Sequence, residues 1–422
     1  MLLAALPLAL AQQAVVDWPQ MGRTPAYQSL NAAPLPASPP HPEWRFANAS
    51  SRLVSSPAVF GGAVYITSDD GHLYALEQAT GRFQWKFAQH CMPAASLRCG
   101  VNGIRSSPAV DTADGSIAFG SYDGSAYKVD ATGKLLWSFK TAGRIYSPAT
   151  IGPDGTVFVG TMRPDNCLYA LDGASGRLKW KGCGVKGGGQ MNSGAAIGEP
   201  GTPLADIVVM NNFDKHVYAF NRSTGALVWS KAGMFLSGGS ATLHGSTVFI
   251  GSWSKSLYAL DALNKGAELW TFAAGGEIES HPAYADGVVY TTAEESHALY
   301  ALDSRSGKQL WKYDAPTQEM NGSPSLSKDL VFAGANDGFL HAVHRETGAP
   351  AFKVAMPEGC PNVFSSPAIA DNGMIYFTCN SPTSRRRRRL GEGEGERVAD
   401  PYDGDPQPGV GNLFAVNPAL HM

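Results

Sequence analysis

The stretch ALYALDSRSGKQLW, residues 298–311, decides the fold of this 422-residue chain. Its apolar first half predicts a β-strand, which runs into a polar turn, and a second short strand closes on Trp311. The carboxylate of Asp303 would accept hydrogen bonds from the turn backbone, and Gly307 would supply the positive φ that a tight hairpin requires. The stretch therefore predicts a β-hairpin that ends in a tryptophan.

Copies of this hairpin recur along the chain, for example as ALEQATGRFQW, ALDGASGRLKW and AFNRSTGALVW. Before each copy come a small-residue strand led by Ser-Pro-Ala, a β-branched and aromatic strand, and a turn such as Asp-Gly. The copies end at intervals of 41 to 52 residues, at Trp85, Trp137, Trp180, Trp229, Trp270, Trp311 and Phe352. A four-stranded unit at this period is typical of the blade of a β-propeller.

Counting the units predicts how the ring closes. Seven units are complete, and an eighth begins with SSPAI at Ser365, reaches GNLFAVN at residues 411–417 and lacks a fourth strand. The segment EWRF, with Trp44, resembles that missing strand, and a strand donated from the N-terminal side would remove the open sheet edges. We therefore predict an all-β, eight-bladed propeller over residues 44–422, after an N-terminal extension at residues 12–43.

The first 11 residues predict a signal peptide. Their apolar run is too short to span a bilayer, and the small-x-small pattern Ala9-Leu10-Ala11 is typical of a signal-peptidase site. No Lys or Arg precedes the run, so a buried N-terminal strand is the alternative. We expect a secreted, periplasmic or extracellular protein without a transmembrane segment. The net charge of −3 argues against nucleic acid as a partner.

The six cysteines lie in three pairs of near neighbours. Hairpin geometry places Cys167 opposite residues 182–183, and a turn near Asp371 would bring Cys379 back towards Cys360. Three local disulfides in an oxidising compartment are the favoured interpretation, although six cysteines allow fifteen connectivities. Buried free thiols and a metal site are the alternatives, and no CxxC motif supports the latter. The predicted pairs are Cys91 with Cys99, Cys167 with Cys183, and Cys360 with Cys379.

A charged insertion interrupts the last unit between its second and third strands, at about residues 381–410. Five consecutive arginines and a Gly-Glu alternation cannot form a core, so the sequence predicts disorder there. An anion-binding tail or a basic cleavage site are functional interpretations. A tolerated loop insertion is preferred, because nearby opposite charges weaken a basic patch.

The phrase Ala-x-Asp-x-x-Thr/Ser-Gly-x-x-x-Trp resembles the tryptophan-docking motif of the pyrroloquinoline quinone (PQQ) repeat family, and the opening Trp18-Pro19 resembles the segment that precedes such propellers. The resemblance covers about residues 18–417. It implies an indole ring wedged between adjacent blades, at Trp44 and the other six docking tryptophans. The family holds quinoprotein dehydrogenases and cofactor-free scaffolds such as the propeller lipoprotein of the outer-membrane β-barrel assembly machinery, to which this chain is closest in size.

Residues just before the Ser-Pro-Ala strands are the candidate site, because innermost strands line the channel of a propeller. Two arginines would clamp a ligand carrying carboxylates, as PQQ does, Glu279 with Asn321 would supply oxygen ligands for calcium, and His281 would be a base. A solvated channel lining is the preferred alternative, and no cofactor is favoured. The candidates are Arg105, Arg144, Gln190, Asn192, Glu279, His281 and Asn321.

Other conspicuous residues have structural interpretations. Trp253 would be a partner anchor or, preferably, a cover on a neighbouring blade. The repeated aspartates Asp130, Asp172, Asp261 and Asp303 occupy one hairpin position, which predicts turn capping rather than catalysis. Neither GxSxG nor HExxH occurs in the chain.

Two functional hypotheses follow. The first is a non-catalytic, secreted or periplasmic PQQ-repeat propeller that binds protein or peptide partners. The second is a PQQ- and calcium-dependent dehydrogenase acting on an alcohol or sugar. PQQ dehydrogenases carry a vicinal Cys-Cys pair and long insertions, and this chain has no adjacent cysteines. That difference favours the scaffold over the enzyme.

Overall fold

A computed structural model of the chain describes residues 18–32, 41–89, 103–184, 189–235, 238–356, 363, 365–380 and 411–417. These residues form eight four-stranded antiparallel sheets, each a blade whose strands we call A to D from the axis outwards. Contacts between the A strands of successive blades place those strands around the common axis. The predicted all-β, eight-bladed propeller is confirmed.

The strands of blades 1 to 4 follow in chain order from A to D. They are β2 (Ala58–Phe60), β3 (Ala63–Thr67), β4 (His72–Glu77), β5 (Phe83–Ala88), β6 (Ala109–Val110), β7 (Ile117–Gly120), β8 (Ser125–Val129), β9 (Leu135–Lys140), β10 (Thr150–Ile151), β11 (Val157–Gly160), β12 (Cys167–Leu171), β13 (Leu178–Cys183), β14 (Ala196–Ile197), β15 (Ile207–Asn212), β16 (His216–Asn221) and β17 (Leu227–Ala232).

Blades 5 to 7 repeat this order, with one 3-10 turn at Ala262–Asn264. Their strands are β18 (Thr242–His244), β19 (Thr247–Ser252), β20 (Ser256–Asp261), β21 (Ala267–Ala273), β22 (Ala283–Ala285), β23 (Val288–Ala293), β24 (Ala298–Asp303), β25 (Gln309–Tyr313), β26 (Ser325–Leu326), β27 (Leu330–Gly334), β28 (Phe339–His344) and β29 (Pro350–Ala355).

Blade 8 is built from both parts of the chain. Strands β30 (Ala368–Ile369), β31 (Ile375–Asn380) and β32 (Gly411–Asn417) supply A to C, and β1 (His41–Phe46) supplies D. β1 pairs antiparallel with β32 and brings Trp44 opposite Ala415. The predicted closure around Trp44 is therefore confirmed, and the strand that makes it begins at His41.

A β-bulge precedes the docking aromatic residue in every blade. In blade 6, Ala301 faces Trp311 while Leu302 faces Gln309, so Leu310 has no partner in the ladder, and the same register shift occurs in the other blades. A bulge bends its strand and re-aims the following side chain. The extra residue thus turns the tryptophan towards the next blade.

Each docking tryptophan joins its blade to the hairpin of the next. Trp311 Nε1 donates to the carbonyl of Arg345 at 3.0 Å, and the ring of Trp270 lies so close to Gly307 that an added Cβ would approach it to 2.6 Å. Gly307 also has φ +70°, so the turn and the packed ring both require glycine there. Indole donations of 2.8 to 3.1 Å are made by Trp44, Trp85, Trp137, Trp180, Trp229 and Trp270.

The disulfide between Cys167 and Cys183 is present and links the C and D strands of blade 3. Cys379 is also disulfide-bonded. Cys91, Cys99 and Cys360, the signal peptide at residues 1–11 and the insertion at residues 381–410 lie outside the described residues. No helix of the described structure is long and apolar enough to cross a membrane.

Candidate functional site

The axial channel has two mouths, which differ in what lines them. The A–B mouth lies where each A strand turns into its B strand. The B–C mouth lies at the other end, where the loops leading into the A strands meet the turns between the B and C strands. The sequence-predicted candidates all belong to the loops that lead into the A strands, and therefore to the B–C side.

The A–B mouth is closed by residues 18–31, which we call the axial segment. Equivalent backbone N–H groups of seven A strands donate to oxygens of this segment. Six donate to backbone carbonyls, as Val110 does to Pro19 at 2.7 Å and Leu326 to Ser29 at 2.8 Å, and Ile151 donates to the Gln20 side chain at 3.0 Å. In blade 8 the polarity is reversed, because Asn31 Nδ2 donates to the carbonyl of Ile369.

Tyr27 places its ring inside the channel. The residue is 1 % exposed, its hydroxyl lies 3.1 Å from Thr150 Oγ1, and its ring meets that of His281 edge-on at 5.5 Å. An added Cβ on Gly194 would lie 1.6 Å from this hydroxyl, so glycine is required there. Burial raises the pKa of Tyr27 to about 12, partly offset by hydrogen bonds to Thr150 and Ser240.

At the B–C mouth, blades 1 to 3 carry a cluster of arginines and aromatic rings. Arg105 Nε donates to Asp69 Oδ1 at 2.7 Å, and Arg52 Nη2 donates to Asp69 Oδ2 at 2.9 Å. The guanidinium groups of Arg105 and Arg144 lie 5.0 and 5.8 Å from the centre of the Tyr122 ring. Arg105 is buried in this cluster, whereas Arg144 is exposed. The two predicted arginines therefore converge on one tyrosine, as a cation–π arrangement allows.

Across the same mouth, Glu279 accepts a hydrogen bond from Trp253 Nε1 at 3.1 Å. The Trp253 ring packs on Phe213 of the neighbouring blade with 5.1 Å between ring centres. Trp253 thus covers the neighbouring blade, in agreement with the structural interpretation of this residue. Nearby, Phe235 is 53 % exposed, with Lys215 Nζ 4.4 Å from the centre of its ring.

Two predicted asparagines lie at equivalent positions in blades 4 and 7. Asn192 is 1 % exposed and donates to Gln190 Oε1 at 3.2 Å. The side-chain oxygens of Asn192 and Asn321 are buried and accept no hydrogen bond from the described part of the chain. Buried acceptors of this kind generally bind a water or a ligand donor.

His281 lies deeper than the mouth residues, against the axial segment. It is fully buried, and its Nε2 is 3.1 Å from Ser29 Oγ, while Nδ1 has no hydrogen-bond partner among the described residues. Burial lowers the pKa of His281 to about 3, so the ring is neutral at physiological pH. Ser29 therefore covers the Nε2 side of the ring, and Tyr27 packs against it edge-on.

The repeated aspartates occupy hairpin turns, as their position predicts. Asp303 Oδ1 accepts from the backbone N–H of Ser306 at 2.8 Å and from its hydroxyl at 2.6 Å, and Asp172 makes the same pair of bonds with Ser175. The Ser306 hydroxyl and then its N–H lower the pKa of Asp303, and the Ser175 groups lower that of Asp172. These carboxylates stabilise turns and lie away from both mouths.

Several features of these mouths escaped the sequence argument. Asp69 directly precedes the Asp-Gly turn of blade 1, so the sequence pattern assigns it to the turn. A comparison of the residues that follow each B strand would have identified it as a candidate. The axial segment carried only the Trp18-Pro19 opening as a signal. Its contacts are mainly backbone hydrogen bonds, which leave no residue pattern to recognise.

The fold and the two mouths define an eight-bladed propeller with tryptophan-docked blades and an axial channel closed at one end. The chain belongs to the PQQ-repeat family whose model is described as outer membrane protein assembly factor BamB, which matches residues 36–104, 98–232 and 213–383.

Relatives within this fold have different functions. A BamB of Burkholderia pseudomallei is 25 % identical over 344 residues, 78 % of this chain and 82 % of that protein. A tetrathionate hydrolase of Acidithiobacillus ferrooxidans is 24 % identical over 355 residues, 72 % of this chain and 67 % of that enzyme. The structure of a europium-containing methanol dehydrogenase matches with a TM-score of 0.74 and 15 % identity, over 95 % of this chain and 98 % of that one, which shows the fold alone.

At the B–C mouth, several groups that PQQ and calcium would need are already paired with neighbouring side chains. The carboxylates of PQQ would need cationic donors, and Asp69 already pairs with two of those present, Arg105 and Arg52. A calcium ion takes six to eight oxygen ligands, and the described residues hold no cluster of three or more His, Cys, Asp or Glu side chains. Glu279, the predicted carboxylate ligand, already accepts the Trp253 indole N–H.

Proposed function

We propose that the protein is a non-catalytic scaffold of a secreted or periplasmic compartment, which binds a protein partner at the B–C mouth. The observation that carries this proposal is the internal pairing of the candidate pocket. Arg105 is bonded to Asp69, Glu279 to Trp253, and Trp253 is stacked on Phe213. Side chains paired in this way are held in place but are not aimed at a small ligand.

The groups left at the surface of this mouth suit a protein partner. Arg144 is exposed beside Tyr122 and Tyr146, whose rings are 6.1 Å apart, and Phe235 exposes about half of its surface. Arginine and aromatic residues are enriched in the parts of protein interfaces that contribute most to binding. The name of the BamB relatives, outer membrane protein assembly factor, agrees with a role in a protein complex.

A PQQ- and calcium-dependent dehydrogenase acting on an alcohol or sugar is the second candidate. It is favoured by the side-chain oxygens of Asn192 and Asn321, which are buried and receive no hydrogen bond from the described residues. Such oxygens would bind a cation. This candidate needs the ion pair between Arg105 and Asp69 to open, so that the guanidinium can reach a quinone carboxylate.

Site-specific photo-crosslinking in the native compartment tests the scaffold. A photoreactive amino acid at position 144 should give one discrete crosslinked species of higher mass, because that side chain is exposed at the B–C mouth. The matched control is position 305, an exposed arginine in the C–D hairpin of blade 6. Crosslinks of equal yield at both positions would contradict a partner site at the mouth.

Reconstitution separates the enzyme from the scaffold. Purified protein mixed with PQQ and Ca²⁺ should show no dye-linked oxidation of alcohols or sugars, and no saturable quinone binding by fluorescence. Activity that is present in the unsubstituted protein and lost in Arg105→Ala would overturn the scaffold proposal and support the dehydrogenase.

A further inference from the structure

The A–B mouth has the construction of a peptide-binding site. The seven donating N–H groups belong to one structural position in seven different blades, at Val59, Val110, Ile151, Ile197, Leu243, Tyr284 and Leu326. Their hydrogen bonds to the axial segment measure 2.7 to 3.0 Å. The A strands are the inner edges of their sheets, so these amides have no partner within the blade. Without the axial segment, the ring would present a circle of backbone donors that a suitably curved peptide backbone could satisfy.

The axial segment contacts the ring as a bound peptide would, through backbone hydrogen bonds and one inserted side chain. Among the described residues the segment adds no strand to any blade, because its bridges to Val59 and Leu326 are isolated. Tyr27 enters the channel, with its backbone carbonyl accepting from Thr242 Oγ1 at 3.2 Å. At the far end, Asn31 Nδ2 contacts both Ile369 and Asp371, at 2.8 Å each.

The conformation of the segment is matched to the circular ring. Arg23, Tyr27 and Ser29 have φ values of 62°, 60° and 58°, in the left-handed region that few non-glycine residues adopt. These positions bend the backbone so that successive carbonyls reach successive blades. A segment that followed the ring with ordinary extended backbone would run straight past it. A ligand of this mouth must therefore adopt the same bent backbone, in addition to having a suitable sequence.

We propose that the A–B mouth is a peptide-binding site whose occupant is the axial segment, bound in cis in this structure and exchangeable for the same segment supplied in trans. The recognised ligand is a short, bent peptide with backbone carbonyls at the blade spacing and one tyrosine for the channel. Arg23 is the only charged residue of residues 18–31, and it lies 3.4 Å from Asp371. Recognition is thus mainly through backbone groups and shape. This site is separate from the B–C mouth and does not depend on the function proposed there.

The test uses the full chain with a protease recognition sequence placed within residues 33–40, between the axial segment and β1. After cleavage of the folded protein, the N-terminal fragment should co-elute with the propeller in gel filtration. A fluorescently labelled peptide of residues 16–32 should then replace it, followed by anisotropy. The same peptide with Tyr27→Ala should compete at least tenfold less well. The peptide with Ala32→Ser is the matched control, because Ala32 is exposed, and should compete unchanged.

Three outcomes would overturn the proposal. The fragment could elute alone while the propeller keeps its circular dichroism and melting temperature. The cut chain could unfold, which would make the segment part of the core rather than a ligand. The Tyr27→Ala peptide could compete as well as the natural one, which would leave only non-specific association. Co-elution with tyrosine-dependent exchange is the supporting result.

Discussion

The polar groups at the two mouths of the channel are satisfied in opposite ways. The A–B mouth presents the same backbone N–H from seven blades, and one peptide segment satisfies them all. The B–C mouth presents a different side chain from each blade, such as Asp69, Tyr122, Phe213 and Trp253, and these pair with one another. Repeated backbone groups can all be satisfied by one peptide segment that closes the channel. Side chains that differ from blade to blade can instead recognise a particular partner.

This difference separates stability from recognition within one fold. A change in the axial segment or channel should act on the free energy of unfolding, because those groups are buried. A change among exposed groups at the B–C mouth should act on partner binding and leave unfolding nearly unchanged. Variants at the two ends therefore measure how far stability and partner binding are separated in this fold.

The largest effect is expected for Tyr27→Ala, which would empty the channel between blades 3 and 6. Loss of a buried aromatic side chain costs about 4 kcal/mol in the free energy of unfolding. Tyr27→Phe keeps the ring and loses only the hydroxyl contacts with Thr150 and Ser240, at a cost of about 1 kcal/mol. Urea denaturation of the two variants measures the difference, and equal losses would mean that the ring does not fill the channel.

A smaller effect is expected at the rim of the B–C mouth, where the disulfide joins Cys167 and Cys183. The bridge closes a loop with a sequence separation of 16 residues, and opening such a loop costs about 3 kcal/mol. The double variant Cys167→Ala/Cys183→Ala should lose this amount in urea denaturation. Mass spectrometry of unreduced peptides should show the linked pair in the natural chain, and free thiols at both positions would contradict the bridge.

The smallest effect depends on pH, amounts to about 2.5 kcal/mol between pH 6 and pH 4, and lies in the channel between the mouths. The folded-state pKa of His281 is about 3, below its unfolded value, so the unfolded chain binds a proton that the folded chain refuses. The stabilisation is complete above about pH 6.5 and falls by about 1.4 kcal/mol per pH unit as pH decreases from there towards 3. Tyr27, the titratable group against the ring, loses its proton far above this range.

His281→Ser tests this dependence, since serine occupies that position in other blades, as at Ser107 and Ser323. The slope of unfolding free energy against pH between 4 and 6 should become shallower by close to one proton. An unchanged slope would assign the acid sensitivity to other groups. The turn aspartates, whose folded pKa is lowered, contribute stability that is lost only at lower pH, near and below the ordinary carboxylate range.

Sequence reasoning reached the ring because the blades are specified by local chemistry. Asp303, Gly307 and Trp311 each have a role that can be inferred from one hairpin, and repetition multiplies the signal. Trp44 could be assigned to the eighth blade for the same reason. The bulge before each tryptophan was not predicted, because one unpaired residue changes no residue type: its position holds Leu310 in blade 6 and Lys179 in blade 3.

The sites were less predictable because each of their side-chain pairs occurs in only one place in the ring. Arg105 and Arg144 could be placed at one mouth by alignment of the repeats, but Asp69 and Tyr122, which hold them, come from a different turn. His281 could be aligned with the serines of other blades, yet its burial depends on Tyr27 and Ser29, which are more than 200 residues away. Contacts that occur only once leave no periodic trace.

Phe352 is the exception among the docking residues, and the closure of the ring explains it. Every docking indole donates to a carbonyl in the C–D hairpin of the following blade. In blade 8 the C strand is β32 and the D strand is β1, so no C–D hairpin joins them next to blade 7. Phenylalanine fills the same space against Phe332 without a donor left unsatisfied. Phe352, the docking aromatic residue without an N–H, therefore marks the position in the sequence next to the seam, the blade in which β1 and β32 close the ring. A redesigned chain with its seam moved to another blade would be expected to need a tryptophan at position 352 and a phenylalanine before the new seam.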